Sequence, residues 1–145
     1  MALPNKLKFF NLFNDANSYL QQVSELTLPK LARKMEDYRA GGMDTPIKID
    51  MGGEPMQCEW TCAGIMEDAI TQFGSLKHDA VALRFAGSYQ AEDAAIPKAV
   101  EVSMRGRHSI IDLGNAKSGD ETTFKVTTEL SYYKLTIDGK ELIEI

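Results

Sequence analysis

The side chains that most often carry chemistry are few in this sequence, and their spacing does not bring them together. His78 and His108 are its two histidines, and neither has a second ligand at His-x-x-x-His or Cys-x-x-His spacing. Cys58 and Cys62 are its two cysteines. On a strand they share a face but lie roughly 13 Å apart, beyond the roughly 7 Å between Cα atoms that a disulfide spans. Two small buried apolar side chains is the simpler reading of the pair. Glu36 and Asp37 are adjacent, so on a strand they point to opposite faces and cannot work as an acid–base pair. No Gly-x-Ser-x-Gly elbow and no Walker-type glycine loop occur. Gly41-Gly42 could cradle an anion through backbone amides, but no helix start follows, which favours a flexible loop. Arg105-Gly106-Arg107-His108 is the one basic cluster, either a phosphate contact or a solvated turn that pairs with acids on a neighbouring subunit. These residues predict no catalytic group, no metal and no cofactor, and so no enzyme.

The elements that would position any site are strands. Met56-Gln57-Cys58-Glu59-Trp60-Thr61-Cys62 alternates apolar and polar at every step, as does Val100-Glu101-Val102-Ser103-Met104-Arg105. Val81, Leu83 and Phe85 mark another strand; Phe124, Val126, Leu130 and Tyr132 mark the next. Beyond Tyr132 the apolar parity moves to Tyr133, Leu135 and Ile137, which predicts a β-bulge. Asp138-Gly139 between two alternating runs predicts a tight hairpin. Strands are also expected around Lys8–Phe13 and Ser18–Val23, separated by the turn at Asn14–Asn17. Leu26–Leu31 reads as extended, with Pro29 making it an edge or a bend. Lys34–Tyr38 continues extended into a long loop, about residues 39–55. Ile65, Met66, Ala69, Ile70 and Phe73 recur at helical spacing and predict one short helix, about residues 64–75, with Glu67 and Asp68 in its first turn and Gly74 near its end. The expected fold is mainly β, an antiparallel sandwich or barrel with one short α-helix, in a single domain spanning residues 1–145.

Composition narrows the class further. The 145 residues are 43% hydrophobic and 26% charged, which fits a globular core. A net charge of −5 argues against adhesive nucleic-acid binding, because that needs Lys and Arg to neutralise phosphates. The first residues lack the apolar run of a secretory signal, and no stretch is long enough to span a bilayer, so synthesis and retention in a cytoplasm are expected.

What the residues do suggest is assembly. A small β domain has edge strands that must be covered or paired, and Pro29 blunts one of them. The long loop is rimmed by Met43, Pro46, Ile47 and Met51, the kind of apolar surface an obligate oligomer buries; folding back onto its own domain is the alternative.

Several segments then match a known pattern in order. They are Leu26-Thr27-Leu28-Pro29-Lys30-Leu31-Ala32-Arg33-Lys34, Glu36-Asp37-Tyr38-Arg39-Ala40-Gly41-Gly42-Met43 and Ile49-Asp50-Met51-Gly52. Arg84-Phe85-Ala86-Gly87-Ser88-Tyr89, Met104-Arg105-Gly106-Arg107, Ser131-Tyr132-Tyr133-Lys134-Leu135 and Asp138-Gly139-Lys140-Glu141-Leu142 follow. From about Lys6 to Ile145 the sequence resembles the major tail tube protein of contractile phage tails and R-type pyocins. The resemblance implies a virion or phage-tail-like particle, with stacked hexameric rings of this chain forming an inner tube. The tube would conduct DNA or open a pore through a cell envelope. It implies a tail sheath protein outside the tube, initiator or baseplate and terminator proteins at its ends, and tape measure protein and transiting DNA in the lumen. Inter-subunit contacts are then expected at Leu28, Pro29, Arg39, Gly41, Gly42, Met43, Asp44, Ile47, Met51 and Gly52. Glu36 and Glu59 are the expected lumen-facing charges. Members of that family continue past the last strand, so the resemblance implies a C-terminal segment that is absent from a sequence ending at Ile145. Two other readings share the architecture: a type VI secretion tube protein, and a monomeric β-barrel that binds a small ligand or peptide.

Overall fold

A computed structural model describes residues 3–15, 17–19, 22–93, 96–119 and 122–145. Strands are β1 (Lys6–Asn14), β2 (Asn17–Ser18), β3 (Val23–Thr27), β4 (Arg33–Tyr38), β5 (Ile47–Gly53) and β6 (Met56–Cys62). One helix, α1 (Glu67–Gln72), precedes β7 (Val81–Gln90), β8 (Lys98–Asp112), β9 (Phe124–Ile137) and β10 (Lys140–Glu144). Ala16, Leu20 and Gln21, within the expected first turn and second strand, lie outside the described residues.

The main sheet runs β2-β1-β7-β8-β9-β6-β3, antiparallel throughout. Long β9 branches it: its first half pairs with β6 and its last residues pair with β10. The sheet curls until it is nearly closed into a barrel, the mainly β fold with one short helix that the alternation predicts. Near the open seam, the Ala63 amide donates to Gln22 O at 2.9 Å, and the Tyr19 amide donates to Leu12 O. Leu12, Trp60, Cys58, Cys62, Leu83, Phe85, Val102, Met104, Phe124 and Val126 fill the interior.

Bulges decide which face each side chain meets. Arg105 pairs with Tyr132 and Gly106 pairs with Leu130, so Ser131 is the extra residue on β9. The parity change thus falls before Tyr132. Tyr132 turns outward, where its hydroxyl donates to Glu144, and Tyr133 turns into the core. A second bulge, at Ser109, separates His108 from Ile110.

Three further expectations are corrected. The loop about residues 39–55 is shorter, because Ile47–Gly53 is a strand paired with β4. The helix is also shorter: Phe73 is extended (ψ 136°) and Gly74 has φ +87°, so the chain leaves the helix after Gln72. Arg105-Gly106-Arg107-His108 is not a turn but the middle of β8. A Cβ on Gly106 would lie 2.0 Å from Glu129 O, so the residue permits close backbone approach at the bulge.

Candidate assembly interface

Strands β4 and β5 form a separate two-stranded sheet, and every residue from Leu31 to Arg39 is exposed. Register assigns the faces. Asp37 sits opposite Lys48, Met35 opposite Asp50, Glu36 opposite Ile49 and Tyr38 opposite Ile47. One face carries Met35 among charges that pair with each other: Lys48 Nζ donates to Asp37 Oδ1 at 2.8 Å, and Arg33 Nε donates to Asp50 Oδ2 at 2.8 Å. The Arg33 bond, together with the Gly52 amide on Oδ1, holds the Asp50 carboxyl below the usual range. The other face carries Tyr38, Ile47, Ile49 and Met51, with Lys34 and Glu36 among them. Ile47 and Met51 are 52% and 54% exposed, so among the described residues the apolar side of this arm is only partly covered. An isolated hairpin is marginal in water, so such a face needs a partner surface.

The predicted contact residues fall in two groups. Arg39, Gly41, Gly42, Met43, Asp44, Ile47, Met51 and Gly52 all belong to the arm. Its tip is ordered by the Met43 amide donating to Ala40 O at 3.2 Å and by Arg39 Nε donating to Met43 O at 3.3 Å. Gly42 (φ +85°) and Gly52 (φ +116°) hold left-handed backbone at the tip and at the Met51–Gly52 irregularity. Leu28 and Pro29 lie apart from the arm, after edge strand β3; Leu28 packs against the core and Pro29 is buried.

Glu36 and Glu59 sit on different sheets. Glu36 is on the apolar face of the arm, opposite Ile49. Glu59 is on β6, alternating with Cys58, Trp60 and Cys62, so it faces away from the core. Its neighbours there are polar: Thr27 and Thr127 in register, with Lys125 Nζ 3.9 Å from its carboxylate. Gln57 donates to Glu129 at 2.7 Å on the same face.

A buried polar cluster also went unread in the sequence. The His108 ring takes Thr128 Oγ1 at 2.9 Å on Nδ1 and Gln72 Oε1 at 3.0 Å on Nε2. Trp60 Nε1 donates to the same Thr128 oxygen at 3.4 Å. Gln72 and Asn14 exchange amide bonds at 2.8 and 3.0 Å, and Asn14 Nδ2 also donates to the Tyr19 hydroxyl. Burial pushes the His108 pKa down to about 4. The same effect pushes the Cys58 and Cys62 thiols up to about 12, so both are buried apolar fillers as expected. Among the described residues no three His, Cys, Asp or Glu side chains gather as a metal cage. No described helix is long and apolar enough to cross a membrane.

Solved structures share this architecture. The sheath/tube terminator of an extracellular contractile injection system superposes with TM-score 0.69 at 10% identity, over 92% of this chain and 96% of that one. A chain of the sheath–tube complex from such a system gives 0.66 at 9% identity, covering 92% and 91%. The fold is therefore that of contractile-injection barrel proteins. At the level of sequence, the profile described as phage tail tube protein FII matches residues 4–145. The tail tube protein of Escherichia phage P2 is 43% identical over all of this chain and 86% of its own length. The major tail tube protein of Serratia phage KSP20 is 37% identical over all of this chain and 84% of its own. The chain belongs to the phage tail tube protein FII family. It is a structural subunit of a contractile tail tube, a component of the virion tail and not an enzyme.

Proposed function

We propose that copies of this chain assemble into hexameric rings, stacked to form the inner tube of a contractile tail, and that the arm makes the contacts between copies. The arm supports this reading most directly: a two-stranded sheet with a half-exposed apolar face is marginal by itself. Free strand edges support it too. Among the described residues, pairing on the outer flank of β1 is confined to its end around Leu12–Asn14, and β10 pairs on one side with β9. Edges of this kind join between neighbours when a ring closes.

In this reading a sheath protein surrounds the tube, and initiator or baseplate and terminator proteins close its ends. The lumen holds a tape measure protein and then passes DNA through the cell envelope. The polar outer face of β3, β6 and β9, with Glu59 at its centre, is assigned to that lumen. Glu36 belongs with the arm. Duplex DNA carries one charge per roughly 1.7 Å and is held by basic surfaces through counterion release, so a lumen of balanced or acidic charge lets it slide. Negative-stain electron microscopy and size-exclusion chromatography of the purified chain test the assembly: rings or tubes are expected. A stable monomer at high concentration overturns it.

A further inference from the structure

The barrel carries a second set of exposed apolar side chains. The core takes Ala69 and Met66 from the helical segment, leaving Ile65, Ile70, Phe73 and Leu76 exposed on α1 and its two flanks, here called the ledge, with Phe73 54% and Leu76 94% exposed. We propose that this ledge receives the apolar face of the arm from a second copy of the chain, head to tail. The inference rests on the self-assembly reading above and adds the receiving surface.

Three observations point to that occupant. A tube made from one kind of subunit requires contacts between unlike surfaces, a donor and a receiver on every copy. The arm and the ledge are unlike in shape, one a two-stranded hairpin and the other a single helical turn and a half with its flanking segments, and each carries exposed apolar residues. They also stand at opposite ends of one strand. The arm enters β6 at Met56, opposite Leu130, whereas the segment leading to the ledge leaves it at Cys62, opposite Phe124. Seven residues of strand put the two ends of β6 roughly 20 Å apart, which suits a contact that propagates from copy to copy. The charges flanking each surface can also pair: Lys34 and Glu36 on the arm, Glu67 and Lys77 beside the ledge. Each copy would give one arm and receive another, so both surfaces count towards the roughly 800 Å² a partner buries in a stable interface.

The test joins Ile49→Cys to Phe73→Cys in one chain and treats assembled protein with a short bis-maleimide. The native thiols are buried and do not compete. A covalent ladder of dimers, trimers and longer chains is expected on a denaturing gel, with no ladder from either single variant. Ile47→Cys with Leu76→Cys is the second pair, should the first not assemble. Tubes that form normally but give no ladder from either pair overturn the ledge as receiver while leaving self-assembly intact. Failure of the unmodified chain to form rings or tubes overturns both readings. Leu76→Asp supplies an independent check: loss of assembly at an unchanged thermal midpoint is expected, and normal tubes count against the proposal.

Discussion

His108 on β8 and Gln72 on α1 meet at 3.0 Å between Nε2 and Oε1, and this contact ties the helix to the barrel. The polarity of the chain around it sets the tautomer. Trp60 donates to Thr128 Oγ1, the Thr128 hydroxyl donates to Nδ1, and Nε2–H donates to Gln72. A neutral ring satisfies every partner. A protonated ring would turn Nδ1 into a donor and leave the threonine hydroxyl hydrogen without an acceptor there.

The first prediction concerns pH. His108 has a folded-state pKa of about 4 against an ordinary 6.5, so the unfolded chain binds the extra proton first as pH falls. Stability should be complete above about pH 6.5, fall between there and pH 4, and level off below. By linkage the step is on the order of 3 kcal/mol. Urea denaturation at several pH values, for the native chain and for His108→Gln, isolates it. The part of the acid slope due to this ring should vanish in the variant; an identical slope in both would remove His108 as its source.

Thr128 is the hinge of the same cluster. Thr128→Val keeps the shape but strands Trp60 Nε1 and one nitrogen of His108, at a cost of about 2 kcal/mol in chemical denaturation. Thr128→Ser retains the hydroxyl and should lose clearly less. Equal losses would mean packing matters at this site and hydrogen bonding does not.

Much of the barrel is legible in sequence because its strands are half-buried and alternate. Cys58, Trp60 and Cys62 face the core as their spacing requires, and Asp138 (φ 52°) with Gly139 (φ 80°) forms the hairpin turn expected from Asp-Gly. Strand β5 was hidden for a physical reason. Ile47-Lys48-Ile49-Asp50-Met51 alternates, yet it is bracketed by Gly41-Gly42, Pro46 and Gly52-Gly53, and breakers of that density read as loop. The His108–Gln72 contact leaves no local signal at all. Its partners are far apart in sequence, and only the bulged path of β8 over the helix brings them together. Among the predicted contacts, the arm residues shared one exposed element, whereas Pro29 turned inward, because a proline after an edge strand can either blunt the edge or pack beneath it.

Gly106 should be intolerant of substitution. In Gly106→Ala the new Cβ meets backbone Glu129 O, which cannot swing away as a side chain would. The β8–β9 bulge must then open, at a cost of about 3 kcal/mol or more. Thermal melting of the monomeric fraction measures this; a loss below about 0.5 kcal/mol would show that the bulge relaxes freely.

The arm should be dispensable for folding. The Glu54 amide donates to Ala32 O at 2.9 Å, so the two ends of the arm are already adjacent where it leaves the barrel. Replacing residues 33–53 with a Gly-Ser pair should leave the thermal midpoint within about 3 °C and abolish tubes. A collapse in stability would mean that the arm supports its own barrel.

Charge reversal at Glu59 tests the lumen. In Glu59→Lys the new ammonium joins Lys125 instead of offsetting it, and the polar face of β6 gains two positive charges relative to the native chain. A basic stripe repeated around each ring would hold passing DNA by releasing its counterions, more strongly at low salt. Tails built with this variant should have normal length in electron micrographs but deliver their genome several-fold more slowly, the delay shrinking as salt rises. Glu36→Lys on the arm should instead act on assembly. Delivery at the native rate from Glu59→Lys tails would place that face of β6 outside the channel.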